Sequence, residues 1–339
     1  MKCEEQVPLA SFTTLGVGGK ARFFVEAHSE KDIEEAVAYA RAQGLPLYPL
    51  GGGSNVLVPD EGVDGVVVKV AMRDMVCTEE NGELVLVAGA GAQWEDVVDT
   101  VVARGLFGIE NLAGIPGTIG GAAVQNIGAY GAEFASVFAY ADTIDCASGL
   151  SRRISLAEAA FGYRTSFFKK NRTHIITRVA LRFPTRGTPN IGYPDLLRAQ
   201  AEGVPLSAPG EIASAVRAIR ARKFPHGSVG GTAGSFFKNP VVSRELADTL
   251  TERFPGIPAF PQEEGMVKIS LAWLLDHVLS LKGFAQGKAR LYEKHPLVIV
   301  ARAGAGAAEI DALAREVAER VRAATGMVIE REVETFGAQ

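Results

Sequence analysis

Apolar residues fall three and four apart in "SEKDIEEAVAYARAQG", where Ile33, Ala36, Val37 and Ala40 make one stripe of a predicted helix. Ser29 supplies an N-cap with Asp32 three residues on, and Gly44 supplies the stop. The pattern then shortens. "LPLYPL", "NVLV", "GVVVKV" and "ELVLVAG" are brief apolar runs bounded by turn residues and read as strands. Helical spacing returns in "QWEDVVDTVVARG", with Trp94, Val97, Val98, Val101 and Val102 on one face. Strands and helices thus alternate through the first hundred residues, an α+β or α/β region. Further on, "IITRVALRF" reads as a strand, "PTRGTPNIGYPDL" as a loop and "EIASAVRAIRARK" as a helix. Beyond a break at residues 224–227 come the helical "SRELADTLTERF" and "SLAWLLDHVLS" and the strand "HPLVIVAR". A long helix with Ile310, Leu313, Val317 and Val321 in register then stops at Gly326, and "MVIEREVETF" reads as a closing strand. No internal repeat or low-complexity linker interrupts this order.

Composition narrows the function classes. The 339 residues leave room for two or three domains, and 47% hydrophobic with 22% charged residues is ordinary for a globular chain. A net charge of -4 argues against a nucleic-acid binder with a broad basic face. No run of about 18 apolar residues is present, so no membrane insertion is expected. The start, "MKCEEQVPLA", lacks the apolar core of a signal peptide. A cytoplasmic location is expected, and the scattered Cys3, Cys77 and Cys146 fit a reducing compartment. His28, His174, His226, His277 and His295 show no ligand spacing, so no metal is expected.

Glycine is the deviation, with 38 residues gathered in particular loops. Gly51, Gly52, Gly53, Ser54 and Asn55 lie between two predicted strands, and Pro116, Gly117, Thr118, Ile119, Gly120 and Gly121 sit in the nearly uncharged stretch 111–131. Each loop is either a tight turn or a backbone cradle for an anion, and two cradles together suit the pyrophosphate of a dinucleotide. Neither matches a phosphate-binding G-x-x-x-x-G-K-[ST] loop or a Rossmann G-x-G-x-x-G, and "GAGAQW" at Gly89 lacks the last glycine. Ser235, in "GTAGSFFKNP", is not on a nucleophile elbow and by itself reads as a turn residue.

Five motifs in fixed order, "GGGSNVLV", "IPGTIGGAAVQNIGAYG", "FGYRTSFFK", "GTAGSFFKNP" and "IEREV", resemble those of the UDP-N-acetylenolpyruvoylglucosamine reductases (UDP-N-acetylmuramate dehydrogenases) of the longer, tyrosine-loop type. The likeness spans residues 13–336. It implies an α+β chain: a vanillyl-alcohol-oxidase-type FAD-binding domain of two α+β subdomains (1–70 and 71–223), a C-terminal α+β substrate-binding domain (224–325), and a strand (326–339) returning to the active site. The implied reaction belongs to peptidoglycan precursor synthesis. NADPH passes hydride to FAD, reduced FAD passes it to the enolpyruvyl group of the nucleotide sugar in the same cleft, and protonation leaves a D-lactyl ether.

The resemblance also assigns residues. Arg164 would stabilise charge on the substrate carboxylate, Glu332 would polarise the same group, and Ser235 would protonate the adjacent carbon. Glu330 stands two residues from Glu332, and only the resemblance separates them. The two glycine loops, with Gln125, Asn126, Gly128, Ala129, Tyr130 and Gly131, would hold FAD. Attachment would be non-covalent, because those glycine loops contain neither histidine nor cysteine. Tyr163, Tyr193, Lys223, Asn239, Lys268 and His295 would contact the substrate, with Tyr193 on a proline- and glycine-rich lid. Where family members often carry asparagine after the strand "HPLVIV", this chain has Ala301-Arg302. A monomer is expected. The rival readings are an oxygen-using flavin oxidase of the same superfamily and a non-enzymatic flavin-binding regulator; neither needs the Ser235 and Glu332 pair.

Overall fold

Ile33, Ala36, Val37 and Ala40 are buried on the helix Glu30–Ala42. Ser29 and Asp32 form a reciprocal capping box at its start. The computed structural model describes residues 1–225 and 227–338; His226, in the break expected at 224–227, lies outside them. Contacts divide the chain into two units, one comprising Met1–Val7, Ala21–Gly53 and Val63–Arg222, the other Pro8–Lys20, Ser54–Gly62 and the chain from Lys223 onward.

The first unit holds two larger sheets and the short hairpin of Gly128–Ala129 with Ala132–Glu133. A four-stranded sheet runs in the order Cys3–Pro8, Lys20–Ala27, Val63–Val70, Leu47–Leu50, the last three parallel. Its valines 66–68 are buried on both faces, as a parallel sheet requires. The second sheet is antiparallel, in the order Ser151–Ser155, Phe138–Asp145, His174–Pro184, Glu83–Gly89, Met75–Glu80. One apolar core joins the two, from Val25 and Val66 to Val179 and Ile212. Residues 119–121, expected as the end of the second glycine loop, open a helix, Ile119–Gln125. Glycine is a weak helix former, but a Cβ on Gly120 would lie 2.9 Å from the Cβ of Ala90, so packing selects it there.

The second unit carries the antiparallel sheet Val241–Ser243, Met266–Ile269, Ala259–Pro261 in the order first, second, third. A second sheet comprises Ala285–Gln286, Ala289–Tyr292 and His295–Ala301. The helix Ala307–Thr325 buries Ile310, Leu313, Val317 and Val321 and ends at Gly326, with φ 74°. The earlier segment Pro8–Lys20 joins this unit by backbone approach. A Cβ on Gly231 would lie 2.0 Å from the carbonyl oxygen of Leu15, and Thr232 N donates to Thr14 O at 3.0 Å. "SLAWLLDHVLS" begins with one helical turn, Leu271–Trp273, and widens to a π-turn, Leu274–Val278.

The closing stretch departs from expectation. In place of a strand over 327–336, only Glu334–Thr335 forms a ladder, parallel to Val56–Leu57. Arg331 makes an isolated bridge with Phe237. Val333 and Phe336 are buried and pull the backbone off a regular pleat.

The N-cap of Ala307–Thr325 is Gly306, which has no side chain to satisfy the first amides. Asp60 supplies the cap instead, accepting from Ala307 N at 2.7 Å and Ala308 N at 2.9 Å. Asp60→Ala is expected to destabilise the second unit by about 1–2 kcal/mol, the cost of a lost cap. Calorimetry should show a lowered unfolding midpoint; an unchanged midpoint would assign those amides to water at no cost.

Candidate active site

The two glycine loops meet through their backbones. A Cβ on Gly52 would stand 2.7 Å from the Cα of Gly117, and one on Gly51 would stand 2.9 Å from Thr118 Oγ1. Both loops belong to the first unit up to Gly53. Lys69, on the parallel strand Val63–Val70, donates to the carbonyl of Gly51, and burial pushes its ammonium below the usual lysine range. Thr118 caps Ile119–Gln125 by accepting from Gly121 N at 3.3 Å. Ile119 N donates to Ala92 O and Gly120 N to Ala90 O. These three amides are therefore engaged inside the protein, which corrects the expectation that the whole run 116–121 offers donors. Gly120 packs against Ala90. An uncharged stretch of backbone and small side chains fits a dinucleotide such as FAD.

Next to these loops the unit fixes Arg164 in a tight turn. Gly162 and Thr165 pair across it, and Arg164 takes φ 54°. Buried Asn126 holds the turn by donating to Gly162 O at 2.9 Å, and it accepts from Ala135 N at 3.0 Å. The guanidinium donates to Gly128 O and lies 5.3 Å from the Tyr163 ring. Gln125 accepts from Lys169 Nζ at 2.7 Å. Tyr130 is buried at φ 48°, its ring edge-on to Tyr193 with centroids 5.2 Å apart. Burial pushes the Tyr130 phenol up to about 12.

In the second unit Ser235 and Glu332 come together through the main chain. Ser235 pairs with Val298, and Phe236 N donates to Leu297 O at 2.7 Å. Glu332 N donates to Phe236 O at 2.8 Å, which places residue 332 beside the residue after the serine. Phe236 and Phe237 are each 1% exposed and anchor this arrangement in the core. Asn55 Nδ2 donates to Glu332 O at 3.0 Å, so the end of the first glycine loop seats the glutamate from its other side. Glu330 and Glu332 are not equivalent. Glu330 is exposed and pairs with Lys238 at 2.7 Å, whereas Glu332 is half-buried. Asn239 Oδ1 accepts from Leu271 N, Lys268 stands between Val241 and Phe260 in the small sheet, and the His295 ring lies 5.2 Å from Phe224. Lys223 is half-buried at the end of Pro209–Lys223.

Two contributors escaped sequence reading. Lys69 sits in a valine-rich strand that reads only as core, and Asn111 heads a stretch that was read for its glycines. An ionisable residue inside the otherwise apolar run 65–70 was the one available signal for Lys69.

The chain is 37% identical over 335 residues to the UDP-N-acetylenolpyruvoylglucosamine reductase of Pseudomonas aeruginosa, covering 98% of each chain. The reductase of the same name from Burkholderia multivorans is 40% identical over 332 residues, 96% of this chain and 94% of that one. The chain belongs to the UDP-N-acetylenolpyruvoylglucosamine reductase family. Residues 21–155 match the FAD binding domain, and residues 225–336 match the C-terminal domain of this family. The crystal structure of the reductase from Thermus caldophilus is similar over 99% of both chains, with a TM-score of 0.69 at 28% identity. The match to the FAD binding domain makes this member of the family an FAD-dependent oxidoreductase on a mixed α and β fold. No helix among the described residues is long and apolar enough to cross a membrane.

Because backbone lies on both sides of the Gly52 contact, neither side can yield. Gly52→Ala is expected to force the loops apart and destabilise the first unit by about 1–3 kcal/mol, the scale of overpacking. Thermal unfolding of the variant measures this. A melting curve like that of the parent would show that the loops part freely.

Proposed function

We propose that the protein reduces UDP-N-acetylenolpyruvoylglucosamine to UDP-N-acetylmuramate with NADPH as electron donor, a cytoplasmic step of peptidoglycan precursor synthesis, and that it acts as a monomer. The observation that carries this reading is the pairing of Ser235's neighbour with Glu332, which seats a hydroxyl and a half-buried carboxylate on adjoining backbone. Bound FAD supplies hydride-transfer chemistry. A flavin oxidase or a regulator needs no such pair.

The roles follow from what each side chain offers. Arg164 is permanently charged and meets the negative charge that develops on the enolpyruvyl carboxylate. Its turn, pinned by Asn126, holds the guanidinium ready before substrate arrives. Glu332 polarises the same carboxylate. Ser235 Oγ gives its proton to the substrate carbon that bears the ether oxygen, and packing of Phe236 and Phe237 keeps water from its loop. Lys223 and Lys268 supply positive charge for the diphosphate, Tyr193 clamps the nucleotide sugar, and Tyr163, Asn239 and His295 complete its contacts. Residues 51–55, 116–121, 125, 126 and 128–131 line the flavin, with 1–70 and 71–223 as the two halves of the FAD-binding part, 224–325 as the substrate part and 326–339 as the returning segment. These two glycine loops contain no histidine or cysteine, so the flavin is held without a covalent bond.

Acid precipitation of the purified protein should therefore leave the flavin in the supernatant. A yellow pellet would overturn non-covalent binding. Ser235→Ala tests the proton transfer. Stopped-flow absorbance at the flavin band should show bleaching by NADPH at nearly the parent rate, and recolouring by the enolpyruvyl substrate slowed by roughly 100-fold or more. Ser235→Cys should restore part of the rate. Slowed bleaching with intact recolouring would make the serine a structural residue instead.

A further inference from the structure

The loop leading to Tyr193 is fastened to the Tyr130 turn by two side-chain amides. Asn111 is 1% exposed, and its Nδ2 donates to Tyr130 O and to Asn190 O, both at 2.7 Å. Two carbonyl acceptors require the amide nitrogen to face them. The Oδ1 of the same side chain is left buried without a partner. An unsatisfied buried oxygen is destabilising, and a leucine of similar volume would fill the space without it. Packing alone does not account for an asparagine here; the two carbonyls it joins do. The second amide closes the clasp from the opposite direction, with Asn190 Nδ2 donating to Gly131 O at 2.9 Å.

The clasp has a fixed end and a free end. Tyr130 is buried and held in the left-handed region, which a bulky residue adopts only when its surroundings impose it. Its ring is the surface against which Tyr193 stands edge-on, 74° between planes. Asn190 is exposed and lies three residues before Tyr193, which itself begins the helix Pro194–Ala201. The intervening Ile191 and Gly192 belong to no strand or helix, so the two amides, the ring contact and the packing of Ile191 against the core locate this stretch.

We propose that Asn190, seated by Asn111, is the positioning residue for Tyr193, holding its loop on the Tyr130 turn so that the tyrosine meets the nucleotide sugar in a set orientation. This rests on the reading of Tyr193 as the substrate clamp. Asn190 acts through Tyr193 and touches no reacting atom.

Asn190→Ala tests the assignment, and exposure of the site lets the variant fold. The KM for UDP-N-acetylenolpyruvoylglucosamine should rise about five-fold, the scale of one net hydrogen bond, while the KM for NADPH stays within about two-fold. Asn190→Asp keeps the shape but has no donor for Gly131 O, so it should behave like the alanine variant. Asn190→Gln should recover part of the affinity. In a Tyr193→Ala background, Asn190→Ala should add nothing, because both changes remove one interaction. An unchanged or lowered KM, an equal rise for both substrates, parent-like behaviour of Asn190→Asp, or additive effects with Tyr193→Ala would each overturn the clasp. If Tyr193→Ala itself left the KM for the nucleotide sugar unchanged, the clamp reading would fail first and the clasp with it.

Discussion

Two stretches of backbone pressed together with no side chain between them set the terms for the first unit. Gly52 against Gly117 admits no Cβ on Gly52. The parallel strand Leu47–Leu50 must therefore end at a point defined by the start of the helix Ile119–Gln125, which rests on the antiparallel sheet. A contact of this kind fixes distance more sharply than side-chain packing, because backbone atoms have no rotamers through which to retreat. Lys69 anchors one partner from beneath, and the amides of Ile119 and Gly120 anchor the other. The two sheets can then share one core and present a surface of backbone and small side chains.

The second unit solves a different problem, the placing of two polar residues, Ser235 and Glu332, beside each other. It does so by gripping the main chain. Ser235 is set by its bridge to Val298, and Glu332 by hydrogen bonds from its own N–H and to its own C=O. Backbone grips leave the hydroxyl and the carboxylate outside the ladder. Lys238 and Glu330 show the contrast: there the side chains themselves make the pair, and it is exposed, an arrangement that adds little stability.

Legibility in the sequence followed how local each determinant is. The helix at 30–42 was readable with its cap because Ser29, Asp32 and the apolar stripe lie within one stretch. The helix at 119–125 was not, since its glycines contradict helix propensity and the reason for Gly120, Ala90, lies far away in sequence. The strand expected over 327–336 failed because its partners are scattered at 56–57 and 237. At the candidate site, the glycine loops, Arg164, Ser235 and Glu332 were recognisable as motifs in order. Their supports were not: Asn126, Lys69 and Asn111 act through hydrogen bonds to backbone carbonyls, and a carbonyl leaves no mark in a sequence. The half-burial that separates Glu332 from Glu330 is likewise a property of three-dimensional packing.

The seating of Glu332 also bears on how activity would be lost. Its segment is joined to the rest by a two-residue ladder, an isolated bridge, the hydrogen bonds of its own N–H and C=O, and the ion pair of Arg331 with Asp311. Met327, Ile329 and Val333 on the same segment belong to the core of the second unit. Release of this carboxylate would therefore accompany loss of that core, so inactivation by denaturant would coincide with the unfolding of the second unit rather than precede it.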